Sequence, residues 1–265
     1  MTKVKIILLT LTLALLLLPI LTSNANNIGT AQPRENWWMT YQGNDHRTGF
    51  TDRFAPADNE IIWCNDTIGA VSAAGLVLWR NYLIISSTNG KLYIINTENG
   101  KLRRDPILLQ GPSYCTPWLK GDGSTFAVLG DDNGYLHKVN FVEGSSTFLS
   151  VGEAIRATPI VFRNDTEDII FTVTVGGNAY WVNFSNLALI TSLSLESGVE
   201  IVGSPTIGSD NIAYIAGKVG LTGRLYVVNL ENATLLNTYE FDSGEYPTAT
   251  PVYYEGKIYV PCGDG

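Results

Sequence analysis

One short phrase returns along this chain at near-constant intervals, and that return limits the possible folds more than any other feature. Ala157-Thr158-Pro159-Ile160, Gly203-Ser204-Pro205-Thr206 and Ala249-Thr250-Pro251-Val252 echo Cys115-Thr116-Pro117-Trp118. Ala73-Ala74-Gly75-Leu76 is a fifth copy, with glycine in place of proline. The matching positions Gly75, Pro117, Pro159, Pro205 and Pro251 stand 42, 42, 46 and 46 residues apart. A second phrase moves in step with the first: Gly90-Lys91-Leu92-Tyr93, Gly134-Tyr135-Leu136-His137, Gly177-Asn178-Ala179-Tyr180 and Gly223-Arg224-Leu225-Tyr226. Self-similarity at a period of roughly 20–50 residues is the mark of a repeat architecture.

Within each unit the pattern is that of short antiparallel strands. The β-branched and aromatic run from Tyr82 meets Asn89-Gly90, resumes as Leu92 to Ile95 and meets Asn99-Gly100. Asn-Gly signals a two-residue hairpin in which both residues take positive φ. Each unit therefore reads as about four strands. A lone four-stranded sheet leaves both its faces wet, whereas sheets stacked face to face around an axis cover one another. The expected fold is all-β, a β-propeller of four-stranded antiparallel blades. A two-sheet sandwich is the alternative, but five copies of one ~44-residue unit suit radial repetition better. The 26 glycines against 2 methionines and 2 histidines fit a turn-rich chain. Pro117, Pro159, Pro205 and Pro251 are expected at the start of the innermost strand of successive blades, where a missing N–H is tolerated.

The N-terminus reads as a targeting device. Lys3 and Lys5 precede an apolar run from Ile6 to Leu21, and Ser23-Asn24-Ala25 offers small residues for a peptidase. Residues 1–25 are thus expected to be a signal peptide and 26–36 a linker, with a retained membrane anchor as the alternative. Cleavage after Ala25 takes the formal charge from −8 to −10, because two lysines and no acids leave with it. Such a surface repels nucleic acid and anionic lipid. Membrane contact is expected only through an uncleaved signal segment. Cys64, Cys115 and Cys262 are too few for a disulfide framework and have no metal-ligand spacing. Four sequons begin at Asn65, Asn164, Asn183 and Asn232, and suit an exported chain.

The stretch Thr88-Asn89-Gly90-Lys91-Leu92-Tyr93-Ile94-Ile95, the recurring Thr-Pro and the leading Trp37-Trp38-Met39-Thr40-Tyr41-Gln42-Gly43-Asn44 resemble the PQQ-like, or quinoprotein-type, propeller repeats. The resemblance covers residues 37–265. It implies an incomplete arc of a seven- or eight-bladed ring, with about four complete blades and a truncated fifth. Gly265 falls where Gly90 sits in its own repeat, so the chain is expected to run on, and residues 37 to 66 are expected to supply strands for a final blade. The family includes quinone-dependent dehydrogenases, an outer-membrane assembly scaffold lipoprotein of Gram-negative bacteria and many exported proteins.

A dehydrogenase of this family would carry adjacent cysteines, an Asp base and a Glu/Asn calcium site; no Cys-Cys pair occurs in the sequence. Asp131-Asp132-Asn133 precedes Gly134 on a hairpin turn, where Asp and Asn are favoured for backbone reasons. His46 is expected to hydrogen-bond within the N-terminal segment, and His137 stands at the position of Tyr93, Tyr180 and Tyr226. The glycines of Gly217 to Tyr226 lack the ending of a phosphate loop and read as a lengthened hairpin. Trp37, Trp38, Trp63, Trp79, Trp118 and Trp181 scatter over repeat positions and are expected mostly between blades, with Trp37 or Trp38 as candidate ligand contacts. No catalytic, cofactor-binding or metal residue is assigned. The expected role is binding or scaffolding of a protein or cell-surface ligand by an exported propeller, in the periplasm, at the cell surface or secreted. The alternative is an N-terminal fragment of a quinone (PQQ)-dependent dehydrogenase, with PQQ and calcium as its cofactors.

Overall fold

The computed structural model describes residues 4–7, 38–50, 61–71, 75–242 and 244–264. Most of the targeting segment, all of the linker 26–36 and Trp37 lie outside the described residues. The described residues form strands and turns. Blade one consists of Val77–Trp79, Tyr82–Ser87, Lys91–Asn96 and Ile107–Leu108, paired antiparallel in chain order. Blade two consists of Trp118–Leu119, Phe126–Gly130, Tyr135–Asn140 and Ser145–Ser150. Blade three consists of Ile160–Arg163, Asp168–Val173, Asn178–Asn183 and Leu189–Ser194.

In blade four, Glu200–Ile201 and Thr206–Ile207 share the inner edge of Ile212–Val219, which is followed by Thr222–Asn229 and Thr234–Glu240. In the fifth sheet, Glu245–Pro247 and Val252–Tyr254 share one edge of Lys257–Asp264. Val4–Ile7 pairs antiparallel along the other edge, Ile6 opposite Tyr259, in the place that the third strand takes in the other blades. An edge strand presents a row of open N–H and C=O groups, so it accepts any extended segment that reaches it.

The sheets stack through alternate residues, because successive side chains of a strand point to opposite faces. Ile84, Leu92 and Ile94 of blade one meet Ala127, Leu129 and Val139 of blade two, while Ile85, Tyr93 and Ile95 face the other way. Val128 and Leu136 meet Ile170 and Val182 of blade three. Phe171 and Trp181 meet Ile215 and Tyr226 of blade four, and Leu225 and Phe241 meet Ile258, Val260 and Cys262. Among the described residues no apolar cluster joins the fifth sheet to the first blade, so the arc is open. The free face of blade one is covered by Trp63 and Ile68 from the segment 61–71, whose Trp63 Nε1–H donates to Thr97 O at 2.6 Å.

Pro117, Pro159, Pro205 and Pro251 each immediately precede a strand on the inner edge of their sheet, the first strand in blades two and three and the second of two short edge strands in blade four and the fifth sheet. The long hairpin expected around Gly217 is present, with strands of 8 residues where blades one and three have 6. Two expectations are corrected. Only Gly90 takes positive φ, at 75°; Asn89 does not, because Ser87 pairs with Lys91 across a three-residue loop and the Asn89 amide donates instead to the Tyr93 hydroxyl at 2.7 Å. A three-residue hairpin needs only its last residue left-handed. Of residues 37 to 66, expected to supply strands of a final blade, only the part 38–50 is corrected: it builds no strands of a further blade. It crosses the inner edges of blades already present.

Candidate functional site

The first strands converge on the arc's inner side, and a chain of buried hydroxyls links them. Gly75 N–H donates to Thr116 Oγ1 at 2.6 Å, Thr158 N–H to Ser204 Oγ at 2.9 Å, and Ser204 N–H to Thr250 Oγ1 at 2.9 Å. Thr116, Thr158, Ser204 and Thr250 are all buried. The residues before Pro117, Pro205 and Pro251 therefore each tie their blade to the one preceding it. Cys115 extends the pattern, its thiol donating to Ala157 O at 3.3 Å, and burial pushes that thiol up to about 12. The backbones approach so closely here that a Cβ on Gly203 would lie 2.8 Å from Thr250 Cα. Only glycine fits. Ser204→Ala strips the acceptor from the buried Thr158 N–H, and the expected loss is about 1–3 kcal/mol, the usual cost of an orphaned buried donor. A fall in the urea midpoint at unchanged slope measures it.

Across this inner side runs the segment from Trp38 to Gly49. Trp38 exchanges backbone hydrogen bonds with Leu78 of blade one, and Leu119 N–H of blade two donates to Met39 O at 2.8 Å. Ile207 N–H of blade four donates to Asp45 O, and Tyr253 N–H of the fifth sheet to His46 O, both at 3.0 Å. One segment thus bonds to the innermost strands of four sheets. Positive φ at Gln42, Gly43 and Arg47 turns it back on itself, and the Trp38 ring packs over Gly43.

Three polar side chains anchor it. Arg47 is fully buried, its Nε donating to Pro205 O at 3.2 Å and its Nη1 to Thr40 Oγ1 at 2.7 Å and Tyr41 O at 3.0 Å. Burial lowers the Arg47 guanidinium from its ordinary range, although Asp45 opposes this. Asp45 accepts from the Trp118 indole at 3.0 Å. Burial raises its carboxyl above the usual carboxylate range against the pull of Arg47 and of that indole. His46 Nδ1–H donates to Ile207 O at 2.6 Å and its ring lies 5.4 Å from that of Tyr253. His46 is therefore bonded to blade four rather than within its own segment.

The other singled-out residues fall as follows. Asp131 and His137 are both buried and bonded, Nε2 to Oδ2 at 2.8 Å, a pair that the turn reading of Asp131 did not include. Asp131 also accepts Tyr135 N–H at 3.0 Å, which is the backbone role expected of it. Arg156 donates to the Asp132 carboxylate through Nε and Nη2, both at 2.9 Å. Trp79, Trp118 and Trp181 are buried between blades, and Trp38 and Trp63 are half-buried. Among the cysteines, Cys64 is exposed, and Cys115 and Cys262 are buried. A cleft of about 410 Å³ opens between blades two and three, lined among others by Phe126, Lys138, Phe148 and Leu187. Its one cation, Lys138, already donates to Phe184 O at 2.8 Å and Ser185 O at 2.6 Å. Burial lowers that ammonium from its ordinary value. The cleft's charge is thus held by the chain itself.

No family model matches the chain, and no curated protein matches its sequence. Among solved structures, the crystal structure of BamB from Moraxella catarrhalis is similar to it, with a TM-score of 0.61 at 13% identity, over 75% of this chain and 60% of that one. At this identity the likeness shows the fold, a β-propeller. The chain spans about 60% of that neighbour's length.

Proposed function

We propose that this chain is an exported PQQ-like repeat propeller that binds or scaffolds a protein or cell-surface ligand. Its place is the periplasm, the cell surface or the medium. The observation that carries the reading is the segment from Trp38 to Gly49, which bonds to the inner strands of four sheets and so occupies the region an axial small-molecule ligand would need. A propeller whose inner strands are bonded by its own chain offers a partner its rims and end surfaces instead. The repeat resemblance and the similarity to BamB support a propeller of this general kind.

The rival reading, part of a quinone-dependent dehydrogenase, requires that quinone and calcium bind where this segment lies. Titration of the folded chain with pyrroloquinoline quinone and calcium, read by tryptophan fluorescence and by alcohol- or sugar-dependent dye reduction, separates the two. The expected result is no saturable quenching and no dye reduction. Saturable, calcium-dependent quenching together with turnover would establish the enzyme and remove the binding reading.

A further inference from the structure

The four sequons gather at one end of the propeller, and the structure treats them unequally. In an antiparallel four-stranded blade, the turn joining strands one and two and the turn joining strands three and four lie at the same end. Side chains tie these turns together: Asn81 to Glu98 in blade one at 3.0 Å, Asn183 to Glu167 in blade three, and Asn211 to Glu231 in blade four at 3.0 Å. Asn164 sits on the first turn of blade three, Asn183 at the head of its outer turn, and Asn232 on the outer turn of blade four. Asn65 reaches the outer turn of blade one, its Nδ2 donating to Gly100 O at 2.6 Å.

We propose that Asn232 and Asn164 are acceptors of an asparagine-linked oligosaccharide, and that Asn183 and Asn65 are sequons closed by the fold. The proposal rests on the reading of the chain as exported, since the transfer takes place outside the cytosol. An acceptor needs an amide nitrogen that a transferase can reach and surroundings that leave room for a bulky, solvated sugar. Asn232 is exposed, and so is Thr234, whose hydroxyl donates to Asn232 Oδ1 at 2.6 Å. Asn164 turns its Oδ1 toward its own loop, where it accepts from Thr166 N–H at 3.0 Å, Thr166 Oγ1 at 3.2 Å and Glu167 N–H at 2.8 Å. Neither Nδ2 has a partner among the described residues, and Asp165 and Thr166 are exposed.

The other two acceptor nitrogens are engaged. Asn183 Nδ2 donates to the Glu167 carboxylate, while its Oδ1 accepts Ser185 N–H at 2.9 Å and Asn186 N–H at 3.1 Å. Asn65 Nδ2 is held by Gly100 O, and its Oδ1 by Thr67 N–H at 2.8 Å and Thr67 Oγ1 at 2.7 Å. Both side chains must break bonds to the neighbouring turn before they can enter an active site.

The donor is an oligosaccharide carried on a lipid phosphate or diphosphate. Nδ2 forms a bond to the sugar's anomeric carbon as that carbon's bond to phosphate oxygen breaks. One amide proton passes to a base of the transferase and the lipid phosphate leaves with the bonding pair, so nothing is oxidised or reduced. The glycans then stand at one end of the arc. The opposite end, which carries the turns at Gly90, Gly134, Gly177 and Gly220, remains bare.

The folded full chain, incubated with an oligosaccharyltransferase that accepts folded substrates and with its lipid-linked donor, is mapped by mass spectrometry. Two glycans are expected, at Asn232 and Asn164. Asn232→Gln and Asn164→Gln should each remove one, whereas Asn183→Gln and Asn65→Gln should leave the number unchanged. A glycan on Asn183 or Asn65, or a bare Asn232 or Asn164, overturns the assignment. Export is read separately, from the full chain produced in a secretory host. A chain retained in the cytosol overturns the export reading and, with it, modification in the cell, while the map on folded protein reports the choice of sites alone.

Discussion

Trp181→Ala is expected to destabilise the propeller by about 3–5 kcal/mol, the range for removing a large aromatic from a packed core. Trp181 is 2% exposed and stands where blades three and four meet, among Phe162, Phe171, Ile215, Tyr226 and Val228. Phe171 presents its edge at 4.9 Å, and the indole N–H donates to Leu230 O in the next blade at 2.8 Å. The substitution therefore removes packing and leaves a carbonyl without its donor. Because repeat stability is roughly a sum of unit terms and neighbour-interface terms, the damage should localise. Amide exchange should quicken in Asn178–Asn183 and Thr222–Asn229 while Tyr82–Ser87 keeps its protection. Trp181→Phe restores part of the volume but not the hydrogen bond, and should lose about half as much. A loss below about 1 kcal/mol for Trp181→Ala would mean that face-to-face packing between blades does not hold the arc together.

How much of this was legible in the sequence depends on the distance over which each feature acts. The strands, the order of the blades and the placing of Pro117, Pro159, Pro205 and Pro251 follow from local alternation and from a period that the chain repeats five times. The hydroxyl link was visible as the Thr or Ser before each proline. Its meaning was not, because its partner lies in the neighbouring blade, 46 residues away for Thr158 and for Ser204. Asn89 misled because its sequence fits a two-residue turn, while its side chain prefers the Tyr93 hydroxyl that the next strand brings beside it.

The inner segment was the least legible. His46 finds Ile207 across 161 positions, and nothing in the residues around His46 repeats, so no period could signal the contact. Arginine is almost never fully buried without partners, and nothing in the sequence marked Arg47 as a core residue; the fold buries it by supplying three oxygens. Trp118 shows the same limit from the other side. Its burial between blades followed from its type, but its bond to Asp45, 73 positions away, did not.

Arg47 gives the other large effect. Arg47→Ala should destabilise the fold by about 3–5 kcal/mol, because it removes one charge from a buried constellation and orphans the groups bonded to it. Thr40 Oγ1, Tyr41 O and Pro205 O all lose their donor. Arg47→Lys should recover little, since a single ammonium cannot reproduce a planar fork that reaches two elements at once. The segment should then lift from the inner strands. Limited proteolysis between Trp38 and Phe50, slow in the parent chain, becomes fast in either variant, and the fluorescence of Trp118 changes as its bond to Asp45 is lost. Asp45 supplies the control. Burial raises its folded-state carboxyl above the unfolded value, so the stability it contributes is present at low pH. That contribution is lost as pH climbs from the ordinary carboxylate range, ~3.9, through the raised value. Asp45→Asn removes the ionisation while keeping an oxygen for the Trp118 indole, so it should flatten that part of the stability profile and leave the segment attached. If Arg47→Ala keeps the segment protected from protease, the backbone bonds to Leu78, Leu119, Ile207 and Tyr253 hold it without the buried guanidinium.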